Sequence, residues 1–481
     1  MRFIRFEPPP KRSEVGFQAL GNLLLIAPQS ASGSLQGLPT NKEKMNHSTH
    51  YAMKKKLATW TATVMFSLTI TAQTAWQEIL QNPSLAAGKY LAYQAPQEKV
   101  ITPPEGYTPF YLSVFARHGS RYLTDREKYD EPAAILKAAR QAGKLTTDGQ
   151  RALDIICRLA REAEGRYGEL TVKGARQHRE LANRMFHHYP TIFCDDVHVD
   201  ARSTTKSRAF LSMANGCVEL ARLNPRLNIT MDASLHDSYY IKYKNKNYEQ
   251  RHLAKADSIY RIADSIYVHP QRLMKQLFSD AGYIEKHITS PATLMQQLFE
   301  LDGISQSSRN MPDLGFLFNK QERYNLWQRN NFEWYYEKGP SPLSDTCMYK
   351  LGRNLLENFI LTADTVIASG RPCVTLRYGH DTNLAPLVTL MGCNSLSHPT
   401  TDWQAIADTY RTYQLIPMCG NIQLVFYRKP NSDDILVRVL LNEKDVTLPV
   451  QTETAPFYHW KDLRSYWMAT VRSISLDDGA R

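Results

Sequence analysis

The 481-residue chain has no Cys-x-x-Cys pair, no His-Glu-x-x-His string and no Gly-x-x-x-x-Gly-Lys-Ser/Thr loop. Those absences remove the zinc knuckle, the thioredoxin-like redox site, the zincin helix and the mononucleotide cradle. No internal repeat is visible, and no apolar stretch reaches the ~20 residues that a membrane helix needs. Glycine and proline, at 23 and 25 residues, are near ordinary usage, which excludes collagen and low-complexity chains. What remains is 43% hydrophobic and 22% charged, enough for a sizeable core, at a length that suggests two or three domains.

The formal net charge is +11 and is unevenly spread. Residues 1–72 hold nine Lys+Arg against three Asp+Glu, which leaves 73–481 at net +5. That balance permits anionic ligands without demanding DNA or RNA as partners. Met53 and Lys54–Lys56 form a basic run before the mostly apolar stretch Leu57–Ile70. This reads as a secretory signal over 53–73, with export to the periplasm or outside the cell as its consequence. An interfacial anchor or a buried helix is the competing reading. Residues 1–52 show no foldable periodicity, and the expectation is that they are a non-native upstream extension. The seven cysteines all lie beyond the proposed signal, so export would allow up to three disulfides with one thiol left over, against buried free thiols as the plainer reading.

Prolines and a glycine at 103–109 break the chain before Phe110–Phe115, which reads as a buried strand. Helices are expected at 130–141, 148–164 and 171–189, the last with an apolar stripe of Val172, Ala175, Ala182, Met185 and Phe186. A short strand at 196–201 precedes a helix at 205–215 whose Phe210, Leu211 and Ala214 should face the core. Residues 239–350 change to long polar-aromatic helices, at 251–267, 270–278, 292–299 and 320–338. Strands return at 372–377, 421–427 and 435–441, with a helix at 383–391. The expected fold is therefore α/β: a central, mostly parallel sheet flanked by helices, in two parts (100–238 and 351–481), with an all-helical cap or insertion at 239–350.

Arg117, His118, Gly119 and Arg121 follow directly on the strand read at Phe110–Phe115. Two guanidinium groups beside an imidazole are costly to bury unless an anion joins them. A phosphoryl group fits that need, since it accepts the paired hydrogen bonds of arginine's rigid fork. A neutral imidazole nitrogen there can attack phosphorus in line, dividing hydrolysis into two easier steps. A core histidine flanked by surface arginines is the plain alternative. Arg202 sits at or just after a strand end, where α/β folds gather ligand groups. Lys242, Lys244 and Lys246 alternate, so an extended segment would put all three on one side, to meet extra phosphates or to form a solvated edge.

Four segments together carry a resemblance: Arg117-His118-Gly119-Ser120-Arg121, Leu170 to His178, Arg202-Ser203-Thr204 with Ser207 and Phe210, and Gly379 to Ala385. In that order they resemble the branch of the histidine phosphatase superfamily that contains histidine acid phosphatases and phytases (clade 2), related to multiple inositol polyphosphate phosphatases. The likeness spans about residues 100–430. It implies His118 as nucleophile, Arg117, Arg121 and Arg202 as a phosphate clamp, and His380 as a further phosphoryl contact. It also implies Asp381 as the acid that protonates the leaving alcohol and His178 as a support behind the site. The chemistry agrees for Asp381, because a carboxylic acid can surrender its proton where an arginine cannot. Asp381 as a simple helix cap, and His178 as a surface residue, remain open.

The resemblance calls for no cofactor and no metal. It implies a phosphorylated small molecule as substrate, myo-inositol phosphates among the candidates, and leaves the oligomeric state open. Some relatives acting on many-phosphated inositols carry His-Ala-Glu where this chain has His380-Asp381-Thr382. A sugar-phosphate-selective acid phosphatase, similar to glucose-1-phosphatases, and a binding protein without turnover are therefore the alternatives to a phytase-like enzyme.

Overall fold

The computed structural model describes residues 73–476 apart from 98–100, 311–312 and 345–347. The expected leader at 53–73, all but its last residue, and the upstream extension at 1–52 lie outside the described residues. So does Cys347; the six described cysteines are all unpaired thiols. Among the described residues no helix is long and apolar enough to cross a membrane.

One mixed sheet organises the chain, in the order β3-β2-β4-β1-β5-β6-β7, with β8 also paired to β6. Its strands are β1 (Thr108–Arg117), β2 (His198–Ser203), β3 (Asn228–Asp232), β4 (Cys373–Gly379), β5 (Asn421–Arg428), β6 (Ile435–Leu441), β7 (Lys444–Asp445) and β8 (Phe457–His459). The half running from β3 through β2 and β4 to β1 is parallel, and everything from β1 to β8 is antiparallel. β1 is thus the border between the halves, covered on both faces, which is why Phe110–Phe115 reads as a near-continuous apolar run. Leu112, Val114 and Ala116 pack with the helices Val172–His188 and Ser207–Leu223. Tyr111 and Phe115 pack with Arg353–Ser369, Asp381–Leu390 and Trp460–Ser473.

The helical block of 239–350 is present as helices, but it does not pack by itself. Lys246–Tyr267 and part of Lys320–Lys338 join the core that includes the β5–β6 face. Gln271–Leu277 and Pro291–Ser305 instead share a core with Glu127–Gln141 and Thr147–Ala163, helices that the sequence reading gave to the sheet layer. The helical lobe is therefore assembled from both sides of β2 and β3.

Two apolar stripes differ from expectation. In Ser207–Leu223 the buried face is Ala209, Ser212, Met213, Gly216, Cys217 and Leu220, while Phe210 and Leu211 are exposed. In Val172–His188, Val172 is exposed and Gly174, Gln177 and His178 are buried. The reason is close approach of backbone. A Cβ on Gly174 would meet the Ser120 carbonyl oxygen at 2.2 Å, and one on Gly119 would meet the Gly174 oxygen at 2.4 Å. The helix start is pressed onto the loop after β1, and a polar, small-residue face is what that contact admits.

Candidate active site

The parallel register brings the chemistry together. Arg117 at the end of β1 is paired with Gly379 at the end of β4, so His118 and His380 leave adjacent strands side by side. The His118 N–H donates to the Gly379 carbonyl at 2.9 Å, and the two imidazole rings lie 5.5 Å apart, edge to face. On the other flank, Ser203 of β2 is paired with Tyr378. Thr204 Oγ1 is consequently 3.0 Å from His380 Nε2.

His118 Nδ1 lies 2.9 Å from the carbonyl oxygen of Gly119. A carbonyl only accepts, so Nδ1 carries the proton and Nε2 keeps its lone pair. Burial, reinforced by Arg117, His380, Arg121 and Arg208, holds the imidazole pKa well below 6.5. That favours the neutral ring, the form able to attack an electrophile such as phosphorus. His380 is likewise pushed down to about 3 by burial and then by Arg208, and its Nδ1 is buried with no partner among the described residues.

Asp381 occupies the first helical position, not the cap, which is His380. Its Oδ1 accepts the Thr382 N–H at 2.8 Å and its Oδ2 lies 2.6 Å from Arg117 Nη2. Burial alone would raise its pKa, but Arg117, followed by Arg121 and Lys89, holds the carboxyl below the usual carboxylate range. Arg117 is fully buried, and its Nη1 donates to the carbonyls of Lys89 and Ile416. It supports Asp381 from behind instead of lining the cavity.

That cavity, of about 320 Å³, is lined by His118, His380 and Asp381 together with Arg121, Lys206, Arg208, Lys242, Lys244 and Lys338. Against six cations stand only Asp381 and Glu249. Arg121 donates from Nη1 to the Tyr122 carbonyl at 2.7 Å, and its Nε, like that of Arg208, is buried without a partner. Burial and repulsion from Arg121 lower the Arg208 pKa, and burial with Lys206 and Lys244 lowers that of Lys242. Such a concentration of unpaired donors is suited to a ligand with more than one anionic group.

Two expectations are corrected by these positions. Arg202 does not line the cavity: its guanidinium is taken by Asp200 at 2.7 Å, Asp232 at 3.1 Å and Asp237 at 3.6 Å. Arg208, the second residue of the helix Ser207–Leu223, brings a guanidinium to the cavity instead. Lys246 starts the helix Lys246–Tyr267, so the three lysines do not share one extended edge, and only Lys242 and Lys244 reach the cavity. Arg117 is not among the residues that line the cavity, although its Nε is buried without a partner among the described residues. His178 is buried, its ring 5.4 Å from that of Tyr378 and its Nδ1 3.7 Å from Cys419 Sγ. It is neither at the surface nor in the cavity wall. Arg208 was missed, although one signal was available: Asp200 and Arg202 are two apart on a strand, hence on one face and able to neutralise each other.

A family model described as the histidine phosphatase superfamily (branch 2) matches residues 111–442. Human multiple inositol polyphosphate phosphatase 1 is 29% identical over 112 residues, which is 22% of this chain and 23% of that protein. The fold is shared with the multiple inositol polyphosphate phosphatase of Bifidobacterium longum, solved in complex with inositol hexasulfate. That likeness has a TM-score of 0.65 at 19% identity and covers 82% of this chain and 99% of that one. The phytase of D. castellii gives a TM-score of 0.63 at 13% identity, covering 84% and 89%.

Proposed function

The chain belongs to the histidine phosphatase superfamily, branch 2, and from that premise we propose that it is a phosphomonoester hydrolase working through a phosphohistidine, with myo-inositol polyphosphates as its substrates. The observation that carries this reading is the single cavity in which neutral His118, His380 and Asp381 meet six lysines and arginines. In the first step His118 Nε2 forms a bond to phosphorus as the bond to the bridging oxygen breaks. Arg121 and Arg208 meet the charge on the equatorial oxygens, where stabilisation counts most. Asp381 gives the departing oxygen its proton. Water then opens the N–P bond, with the Asp381 carboxylate taking a proton from it.

The ion pair with Arg117 keeps Asp381 ionised in the empty site. The donated proton therefore enters with the substrate, as the phosphate monoanion, whose second pKa is about 6. Near the bound phosphate Asp381 becomes the better proton holder, because two adjacent anions repel. Lys206, Lys242, Lys244 and Lys338 favour an alcohol that carries further phosphates over a simple sugar phosphate. Export is part of the same proposal and rests on the basic-apolar run at 53–70; N-terminal sequencing of the mature product tests it.

Phosphate release from inositol hexakisphosphate and from glucose 1-phosphate, each with and without chelator, tests the reading. Preference for the hexakisphosphate, untouched by chelator, is expected. Rapid quench should trap an acid-labile phosphoenzyme that His118→Ala lacks. Turnover of neither ester, or a phosphoenzyme surviving in His118→Ala, removes the proposal.

A further inference from the structure

A second cavity, of about 580 Å³, shares no lining residue with the catalytic one. The two meet at consecutive residues, since Arg121 lines the first and Tyr122 the second. Arg158, Arg161, Arg166, Arg176 and Arg309 stand around the second cavity, and none of the five forms an ion pair among the described residues. Its one lining carboxylate, Glu162, is already engaged: Oε1 accepts the Arg309 N–H at 3.1 Å and the Tyr122 hydroxyl at 3.4 Å.

The floor is polar and buried. Ser307 is 2% exposed, lines the cavity, and its hydroxyl has no hydrogen-bond partner among the described residues. Thr171 and Val172 bring the N-terminal turn of the 17-residue helix Val172–His188 to the same wall, where the helix dipole favours negative charge. The five arginines are exposed, so water screens their mutual repulsion, but they concentrate positive charge over one concavity, and a buried hydroxyl without a partner is unfavourable. A single ligand relieves both. The volume is that of a small-molecule site, and arginines from three separate segments call for a ligand with several charged groups.

We infer that this cavity is a second, non-catalytic binding site for a small molecule bearing several phosphate or sulfate groups. The test is calorimetric titration of the full chain with myo-inositol hexakissulfate, which carries the charge and resists hydrolysis. Two sites per chain are expected. The variant Arg161→Ala/Arg176→Ala/Arg309→Ala should keep one site and hydrolyse p-nitrophenyl phosphate within about twofold of the parent. Ser307→Ala, a milder change that spares the fold, should weaken the second site roughly tenfold, as expected for a hydrogen bond to a charged group. One site in the parent chain overturns the inference, as does a second site that persists in the triple variant. Arginine-dependent binding of heparin with no second hexakissulfate site overturns it too, by making the surface one for polymers. Failure of phosphate release by the whole chain would leave this result standing, since neither variant touches His118 or Asp381.

Discussion

Arg202 and Arg208 are six residues apart and lie at the same end of the parallel half-sheet, yet their surroundings are opposite. Arg202 is held by three aspartates on and after β2 and β3. Arg208 has no carboxylate partner among the described residues, and its Nε is buried without an acceptor. An arginine without an internal anion is left free to meet an anionic ligand, whatever motif surrounds it. Arg117 falls between the two: it is paired with Asp381 and with two carbonyls, yet its Nε is buried without a partner among the described residues.

Five measurements sharpen or break that contrast. Asp381→Asn should slow phosphoenzyme formation from alkyl phosphates roughly 10²- to 10⁴-fold, with little change in that step for p-nitrophenyl phosphate, as read by rapid quench for each ester. For the parent chain, kcat/KM should fall about tenfold per pH unit above about 6, as substrate loses the proton it brings. On the acid side the neutral form of His118 persists below its ordinary 6.5, so no loss should occur near that value. Arg208→Ala should lower kcat/KM roughly 10- to 100-fold, the worth of a hydrogen bond between charged groups. Lys242→Ala/Lys244→Ala should raise KM for the hexakisphosphate about fivefold and leave glucose 1-phosphate unchanged, in keeping with half-exposed charges. Arg202→Ala should alter kcat/KM less than about twofold. A loss equal to that of Arg208→Ala would abolish the distinction on which the clamp assignment rests.

Much of the frame could be read from sequence. Phe110–Phe115, Cys373–Arg377 and Ile435–Leu441 are legible because central strands buried on both faces are continuously apolar. β3 was missed, since an edge strand with the pattern Asn228-Ile229-Thr230-Met231-Asp232 is half exposed and offers no such run. The helix Arg353–Ser369 was missed as well, although Leu355, Leu356, Phe359, Ile360, Ala363 and Val366 form a buried stripe at helical spacing. Both histidines and Asp381 follow from strand ends, where local pattern and ligand geometry coincide. The clamp did not, because it depends on which aspartates fold against which arginine, a long-range matter for Asp232 and Asp237. The wrong face assigned to Phe210 and Leu211 has a similar origin: the contact with Val172–His188 selects small and polar side chains, and hydrophobicity alone points elsewhere.

The proton arrangement of the ring proposed as nucleophile is written into two consecutive residues, His118 and the peptide oxygen of Gly119. No distant loop or second domain has to be in place for the imidazole to present its attacking atom. Replacing the wall lysines Lys206, Lys242, Lys244 and Lys338 for a new ester, by library or by design, should therefore leave that proton in place, whereas Arg121 and Arg208 also hold the imidazole pKa down and have to stay.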